Sequence, residues 1–457
     1  MMRFGSLICV ALAISGGTAQ GCQDFPASKS SAFDATLGKI NIPWRTDFPT
    51  ALPSTGHGWE QINFETSWRK YAAAVLQEIR DSGITISGGT IALPATANWW
   101  IAPWMDYGAS GREKRIGLTK ERSPDPKDLS PTSPGDLQTW AIGWYNQEGA
   151  FGLGQIYANP CDPSVPSLPN GSRWTFPAKS ASFKFLFTEA TDAHVKYLKG
   201  APVVQAFTRS KTSLTKLRLI QVDIAVRDPR ATLTGWVFGT FVWKGPKKGD
   251  GLFDNLVPVG LAWGNDPTKQ NNELAKSAQL FETRLNNQLA GKVWQKQPQS
   301  WPARPYPGFQ GRLNGPADNW RSSCISCHSS AQYPRHPVLG SPPRINQSDT
   351  PTPTELEKIV AAYFANVQGG HLIDPVQDSA QPLPAVSLDY SLQLQTAFTR
   401  ICQACSAGAL TGATPRICLK SNGGQIESPT CPAATSPAAI GADLIQKVDV
   451  NNLMQRQ

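Results

Sequence analysis

One pentapeptide of the chain, Cys324-Ile325-Ser326-Cys327-His328, brings two thiols and an imidazole together. Thiols three positions apart can reach the two vinyl groups on one edge of a porphyrin, and a His directly after the second thiol falls beneath the iron. The spacing therefore predicts one covalently attached c-type haem, tethered by Cys324 and Cys327 and ligated by His328. A structural disulfide or half of a zinc site would use the two cysteines but would leave the adjacent His unexplained.

The segment Arg321-Ser-Ser-Cys-Ile-Ser-Cys-His328 resembles the haem-binding segment of cytochrome c family proteins. With Thr234-Gly-Trp-Val-Phe-Gly-Thr-Phe-Val-Trp243 and Gly311-Arg-Leu-Asn-Gly-Pro-Ala-Asp318, the chain is similar to large bacterial proteins that carry a single such motif. A second, weaker resemblance is one of arrangement: Trp174 to Phe187, then the segment at Trp236, then the Cys-x-x-Cys-His motif, looks like cytochrome P460-type proteins. That likeness implies a β-sheet pocket, an open iron and a lysine cross-linked to the porphyrin, with Lys184 as the position to inspect. The residues themselves read Lys184 more simply, as a solvated strand residue.

The ligand opposite His328 decides the chemistry. Of the four Met residues only Met105 and Met454 would survive removal of the N-terminus, and none lies between His328 and Met454. The candidates are His371, His336, one of those two Met residues, or no ligand; His371 is favoured, because His336 is followed by Pro337 and would need a tight loop around the porphyrin edge. Two protein ligands would confine the haem to outer-sphere electron transfer, whereas an open iron would allow a haem-dependent oxidoreductase acting on a small molecule. Third, the β-rich part could be a binding module with haem as a structural element. The expected partner is a redox protein or a small-molecule substrate.

The N-terminus sets the compartment. Met1-Met-Arg-Phe, then apolar Leu7 to Ile14, then small residues to Ala19 is the layout of a secretory signal. Export to the periplasm, or secretion, is expected after cleavage at Ala19; cleavage before Cys22 followed by lipidation is the alternative, and would be the one route to membrane attachment. In an oxidising compartment Cys402, Cys405, Cys418 and Cys431 read as two disulfides of undetermined pairing, and Cys22 and Cys161 remain to pair or not. The net charge of +9 has no long basic run behind it, so nucleic-acid binding finds no support. Only five His residues are present, and no hydrolytic triad or phosphate loop stands out.

Elements that would position the motif can be read from hydrophobic periodicity. Trp68, Tyr71, Ala72, Val75, Leu76 and Ile79 predict a helix stopped by Gly83. Phe183, Phe185 and Phe187 alternate with Ser182, Lys184 and Leu186, the period of a strand with two distinct faces. Lys216 to Arg227 predicts a long strand whose apolar phase slips at Ile220-Gln221, hence a bulge there. After a turn at Asp228, Gly235 to Trp243 is apolar on both sides and predicts a central strand. Helices are expected at Asn272–Ala290, from Thr354 to Val367, and at about Leu388–Cys402. The fold class expected is α+β: an antiparallel β-rich core over roughly 84–264 and a helical, loop-rich C-terminal part holding the haem. The organisation is a signal at 1–19, an extended lead-in at 20–58, a β-rich domain with flanking helices at 59–293, a haem-binding region at 294–406 and a disulfide-tied tail at 407–457.

Overall fold

The computed structural model describes residues 45–103, 113–267, 280–294, 307–334, 361–373, 385–406 and 414–427, apart from a few positions within those spans. The signal segment, Cys22, Met105, Cys161, His336, Cys431 and Met454 lie outside the described residues. No helix among the described residues is long and apolar enough to cross a membrane.

Helix α1 (Trp68–Asp81) forms where the periodicity requires it and buries Trp68, Tyr71, Ala72, Val75, Leu76 and Ile79. Gly83 just beyond it adopts φ 75°, the left-handed turn that ends helices at little cost for glycine. A hairpin follows, β1 (Thr85–Ser87) and β2 (Thr90–Ala92), closed by Gly88-Gly89, both at positive φ, the turn chemistry of a two-residue connection.

The centre of the molecule is an antiparallel sheet of eight strands: β3 (Thr119–Lys120), β4 (Thr139–Tyr145), β5 (Ala181–Thr188), β6 (Val203–Ala206), β7 (Thr215–Arg227), β8 (Trp236–Trp243), β9 (Leu256–Ala262) and β10 (Thr283–Leu285). The order across the sheet is β10-β9-β8-β7-β5-β4-β3, with β6 paired to the first residues of β7. The expected bulge is present: Leu186 faces Gln221 and Phe187 faces Leu219, so Ile220 is the extra residue. All eight residues of β8 are buried, as a central strand covered on both faces must be.

The two faces bury different things. Phe183, Phe185 and Phe187 point to the face that packs with α1, in one apolar cluster. The other face carries Trp236, Phe238 and Ala225 and packs with helix α2 (Gln147–Ile156), helix α3 (Cys324–Ser329) and helix α4 (Leu392–Ser406). Cys324 and Ile325 belong to that second cluster, so the motif helix lies directly on the sheet.

Two sequence expectations change. The helix expected at Asn272–Ala290 does not form in its described part: residues 283–285 are strand β10, Asn287–Leu289 is a 3-10 turn, and Phe281 is exposed rather than part of a buried stripe. The open edge of β9 and the Asp266 carboxylate, which accepts from Phe281 N and Glu282 N, capture this segment instead. Tertiary pairing overrides a helical period in this way. The β-rich core consequently extends beyond 84–264, to 285. The helix expected at 388–402 is α4, and of the one expected at 354–367 the described residues 361–363 are helical.

Candidate functional site

The motif helix is short, and its capping explains how six residues hold a helical shape. Ser323 is the N-cap, its Oγ accepting from Ser326 N at 3.0 Å. Ser323 Oγ and Ser326 Oγ both donate to Asn265 Oδ1, at 2.7 and 3.1 Å, which ties the cap to the loop after β9. Cys324 N donates to Leu313 O at 3.0 Å. Below it the Arg312 guanidinium, buried and stacked over Phe364 at 4.5 Å, donates to Asn265 O and Asp266 O; burial pushes its pKa down to about 10.

His328 is oriented by a carbonyl. Its Nδ1 lies 2.9 Å from Tyr390 O, and Phe238 sits beside the ring at 4.8 Å between centroids. Burial pushes the imidazole pKa down to about 4, outweighing the pull of the Tyr390 carbonyl, so the ring is neutral. With the proton on Nδ1 facing a carbonyl, Nε2 carries the lone pair, the arrangement that metal-ligating histidines use. Tyr390 is in turn fixed by the segment before it. Strand β12 (Val386–Ser387) pairs with β11 (Gln332–Tyr333) just after the motif. Asp389 and Tyr390 both take positive φ, 45° and 70°, a conformation that costs a non-glycine residue free energy and needs outside support. The support is the buried Asp389 carboxylate, which accepts from Phe176 N at 2.7 Å and Trp236 Nε1 at 3.0 Å and faces Arg227 Nε at 3.7 Å.

Facing this helix is a cleft of about 160 Å³ that continues into a second cavity of about 110 Å³. Glu121, Lys184, Asp223, Phe238 and His328 line both parts, and Cys324 and Cys327 line the second. The polar wall comes from strand register. Gly143 on β4 pairs with Lys184 on β5, Lys184 with Asp223 on β7, and Asp223 with Thr240 on β8, so these side chains form one row across the sheet. Lys184 Nζ lies 3.3 Å from Asp223 Oδ2, and Thr240 Oγ1 donates to Asp223 Oδ1 at 2.9 Å. Gln221 Nε2 donates to both Asp223 and Asp318, each at 2.9 Å. Burial pushes the Lys184 ammonium down, but Glu121, Asp223 and Asp318 outweigh it and hold it charged. Burial raises Asp223 despite Lys184, and raises Cys324, so that Cys324 is a neutral thiol.

The structure therefore brings Cys324, Cys327 and His328 to one cleft, with both cysteines as thiols. Lys184 joins them: it is turned into the cleft and paired, not a solvated strand lysine. His371 is not among the cleft's lining residues; its ring is exposed and its Nδ1 lies 3.2 Å from Gly369 O. In the C-terminal cluster Cys402 is bonded to Cys418, and the rest of the pairing lies outside the described residues. Glu121, Asp223, Asp318, Asp389 and Tyr390 escaped the sequence reading. Gln221 and Asp223 left a signal, two polar residues at strand spacing in an otherwise apolar run; Tyr390 left none, because it acts through its backbone.

The site suits a covalently held haem on three observations: a half-buried neutral imidazole whose Nδ1 is engaged by Tyr390 O, two thiols on the same cleft, and aromatic walls from Trp236, Phe238 and Tyr390. No group of His, Cys, Asp and Glu that could hold a bare metal ion occurs among the described residues. No known protein family, curated protein or solved structure matches the chain.

Proposed function

We propose that this protein is an exported c-type haem protein that exchanges electrons through one haem, joined by thioethers to Cys324 and Cys327 and ligated by His328 Nε2. The observation that carries this reading is the His328 Nδ1 contact to Tyr390 O at 2.9 Å, which leaves the opposite nitrogen free beside the two thiols. When bound, the haem supplies one-electron chemistry, with its potential governed by axial ligation and burial. The chain's own residues would hold and orient it: Cys324 and Cys327 would tether, His328 would ligate, and Phe238 and Trp236 give the cleft apolar walls. Export belongs to the same reading and is supported by the Cys402–Cys418 disulfide, which fits an oxidising compartment. The test is the intact mass of the full chain produced in a strain competent for cytochrome maturation. The expected result is a gain of one haem that survives denaturation and is lost in Cys324→Ser/Cys327→Ser; an unmodified mass refutes the proposal.

A second reading, oxidation of a small molecule at an open iron, is favoured by one observation. Among the described residues lining the cleft His328 is the sole His and no Met occurs, while Lys184, Glu121 and Asp223 supply polar groups. Prompt carbon monoxide binding by the reduced protein is the expected outcome of that reading, and a low-spin spectrum indifferent to carbon monoxide refutes it. If a low-spin spectrum is found, His371→Ala is expected to leave it unchanged, given where His371 lies.

A further inference from the structure

The cleft contains more charge than its ion pairs use. Besides His328, Arg122, the two cysteines and the tyrosines Tyr145, Tyr363 and Tyr390, four side chains that carry charge face it from different elements: Glu121 just after β3, Lys184 on β5, Asp223 on β7 and Asp318 in the loop before the motif. Three are held. Lys184 is paired with Asp223 at 3.3 Å; Asp223 also accepts from Thr240 and Gln221; Asp318 accepts from Gln221 Nε2 at 2.9 Å and Gly315 N at 3.0 Å. Arg122, which also lines the second cavity, gives its Nη2 to Asp125 and Asp128, at 2.6 and 3.0 Å, while its buried Nη1 has no hydrogen-bond partner among the described residues. His328 is committed to Tyr390 O.

Glu121 is different. Its backbone N–H donates to Thr139 O at 3.0 Å, but its carboxylate accepts no hydrogen bond from any described residue, and it lines both parts of the cleft. The charges that act on it are Lys184, already shared with Asp223, and the like charge of Asp318. A half-buried carboxylate so placed has no donors among the described residues to fix its charge, and burial raises its pKa.

We propose that Glu121 is the proton-exchanging group of the cleft: it binds one proton from bulk water for each electron that a one-electron donor delivers, and releases it on oxidation. Electron in and proton in leave the net charge of the buried cleft unchanged, which is what a low-dielectric environment favours. The inference rests on the haem reading above and adds to it a coupling between reduction and protonation with a named site. It serves electron transfer and small-molecule oxidation alike, since either must move charge in and out of the same cleft.

Spectroelectrochemical titration of the haem-loaded full chain between about pH 5 and pH 9 tests it, with haem content checked first by mass. In the wild type the midpoint potential is expected to fall with rising pH, with a limiting slope of about 59 mV per unit, the one-electron equivalent of tenfold. Glu121→Gln is expected to flatten that dependence, and Asp318→Asn to retain it. A pH-independent wild-type potential, or a Glu121→Gln slope equal to the wild type's, overturns the proposal. Should Glu121→Gln fail to fold, a reduced-minus-oxidised infrared difference spectrum of the wild type decides. A protonated-carboxyl band appearing on reduction supports it, and no such band overturns it. A chain that carries no haem refutes the haem reading instead, and that outcome is distinguished by the mass alone.

Discussion

Asp389 holds the carbonyl that orients His328, and removing it gives a measurable loss. In Asp389→Ala, Phe176 N–H and Trp236 Nε1–H lose a charged acceptor at 2.7 and 3.0 Å, and Arg227 loses its counter-charge while keeping Gly235 O at 2.7 Å. Hydrogen bonds to a charged group contribute about 1.5–3 kcal/mol each, and opening a buried pair costs about 3–5 kcal/mol because the partner stays buried. Ala at φ 45° adds about 1 kcal/mol of backbone strain. Because the two hydrogen bonds and the ion pair share one carboxylate their costs overlap, and the expected cost is about 4–6 kcal/mol for Asp389→Ala. Asp389→Asn should cost about 2–3 kcal/mol, since Asn keeps one acceptor oxygen and tolerates the left-handed region. Urea unfolding followed by tryptophan fluorescence at pH 7 gives both numbers. An Ala variant within about 1 kcal/mol of the wild type, or an Asn variant as damaged as Ala, would refute the reasoning and remove the support claimed for Tyr390.

His57 bridges α1 and α2, its Nδ1 2.9 Å from Glu78 and its Nε2 2.8 Å from Glu148. Burial pushes the imidazole down, but hydrogen bonds to Glu148 and Glu78 outweigh it and carry its pKa up to about 9. Because the folded value is raised, the stabilisation is fully present below about pH 6.5 and is lost as pH rises through about 9. After discounting for solvent at Glu78, His57→Gln is expected to cost about 1–3 kcal/mol at pH 6 and less at pH 9.5; chemical denaturation at the two pH values checks this, and an unchanged or wider gap at the higher pH contradicts it. At Gly315 a Cβ would stand 2.2 Å from Gln221 Nε2 and 2.4 Å from Asp318 Oδ2. Gly315→Ala should then destabilise by about 1–3 kcal/mol; thermal melting within a degree of the wild type would show that the Gln221 and Asp318 side chains yield freely.

What sequence could reveal here follows from how each part of the site is made. Cys324, Cys327 and His328 lie within one pentapeptide, so their chemistry is written locally, and α1 and β8 are legible because burial on one stripe or on both faces dictates the residue pattern. Lys184 was ambiguous for a physical reason: alternation separates it from Phe183 and Phe185 but cannot tell whether the polar face meets water or a polar cleft. That depends on register, which sets Lys184 beside Asp223 and Asp223 beside Thr240. The bulge at Ile220 contributes, since one extra residue reverses which side chains of β7 face the cleft, and Asp223 lies beyond it. Segment 280–290 misled because its helical period was weaker than the pull of an unpaired strand edge. Glu121 lay deepest: a single carboxylate after a two-residue strand carries no periodic signal at all. Its place in the cleft depends on residues of the sheet and of the loop at 314–319, which line the same cavity. The local motif thus carries the thiols and the imidazole, whereas the polar groups around them are assembled from distant strands, and sequence alone cannot assemble them.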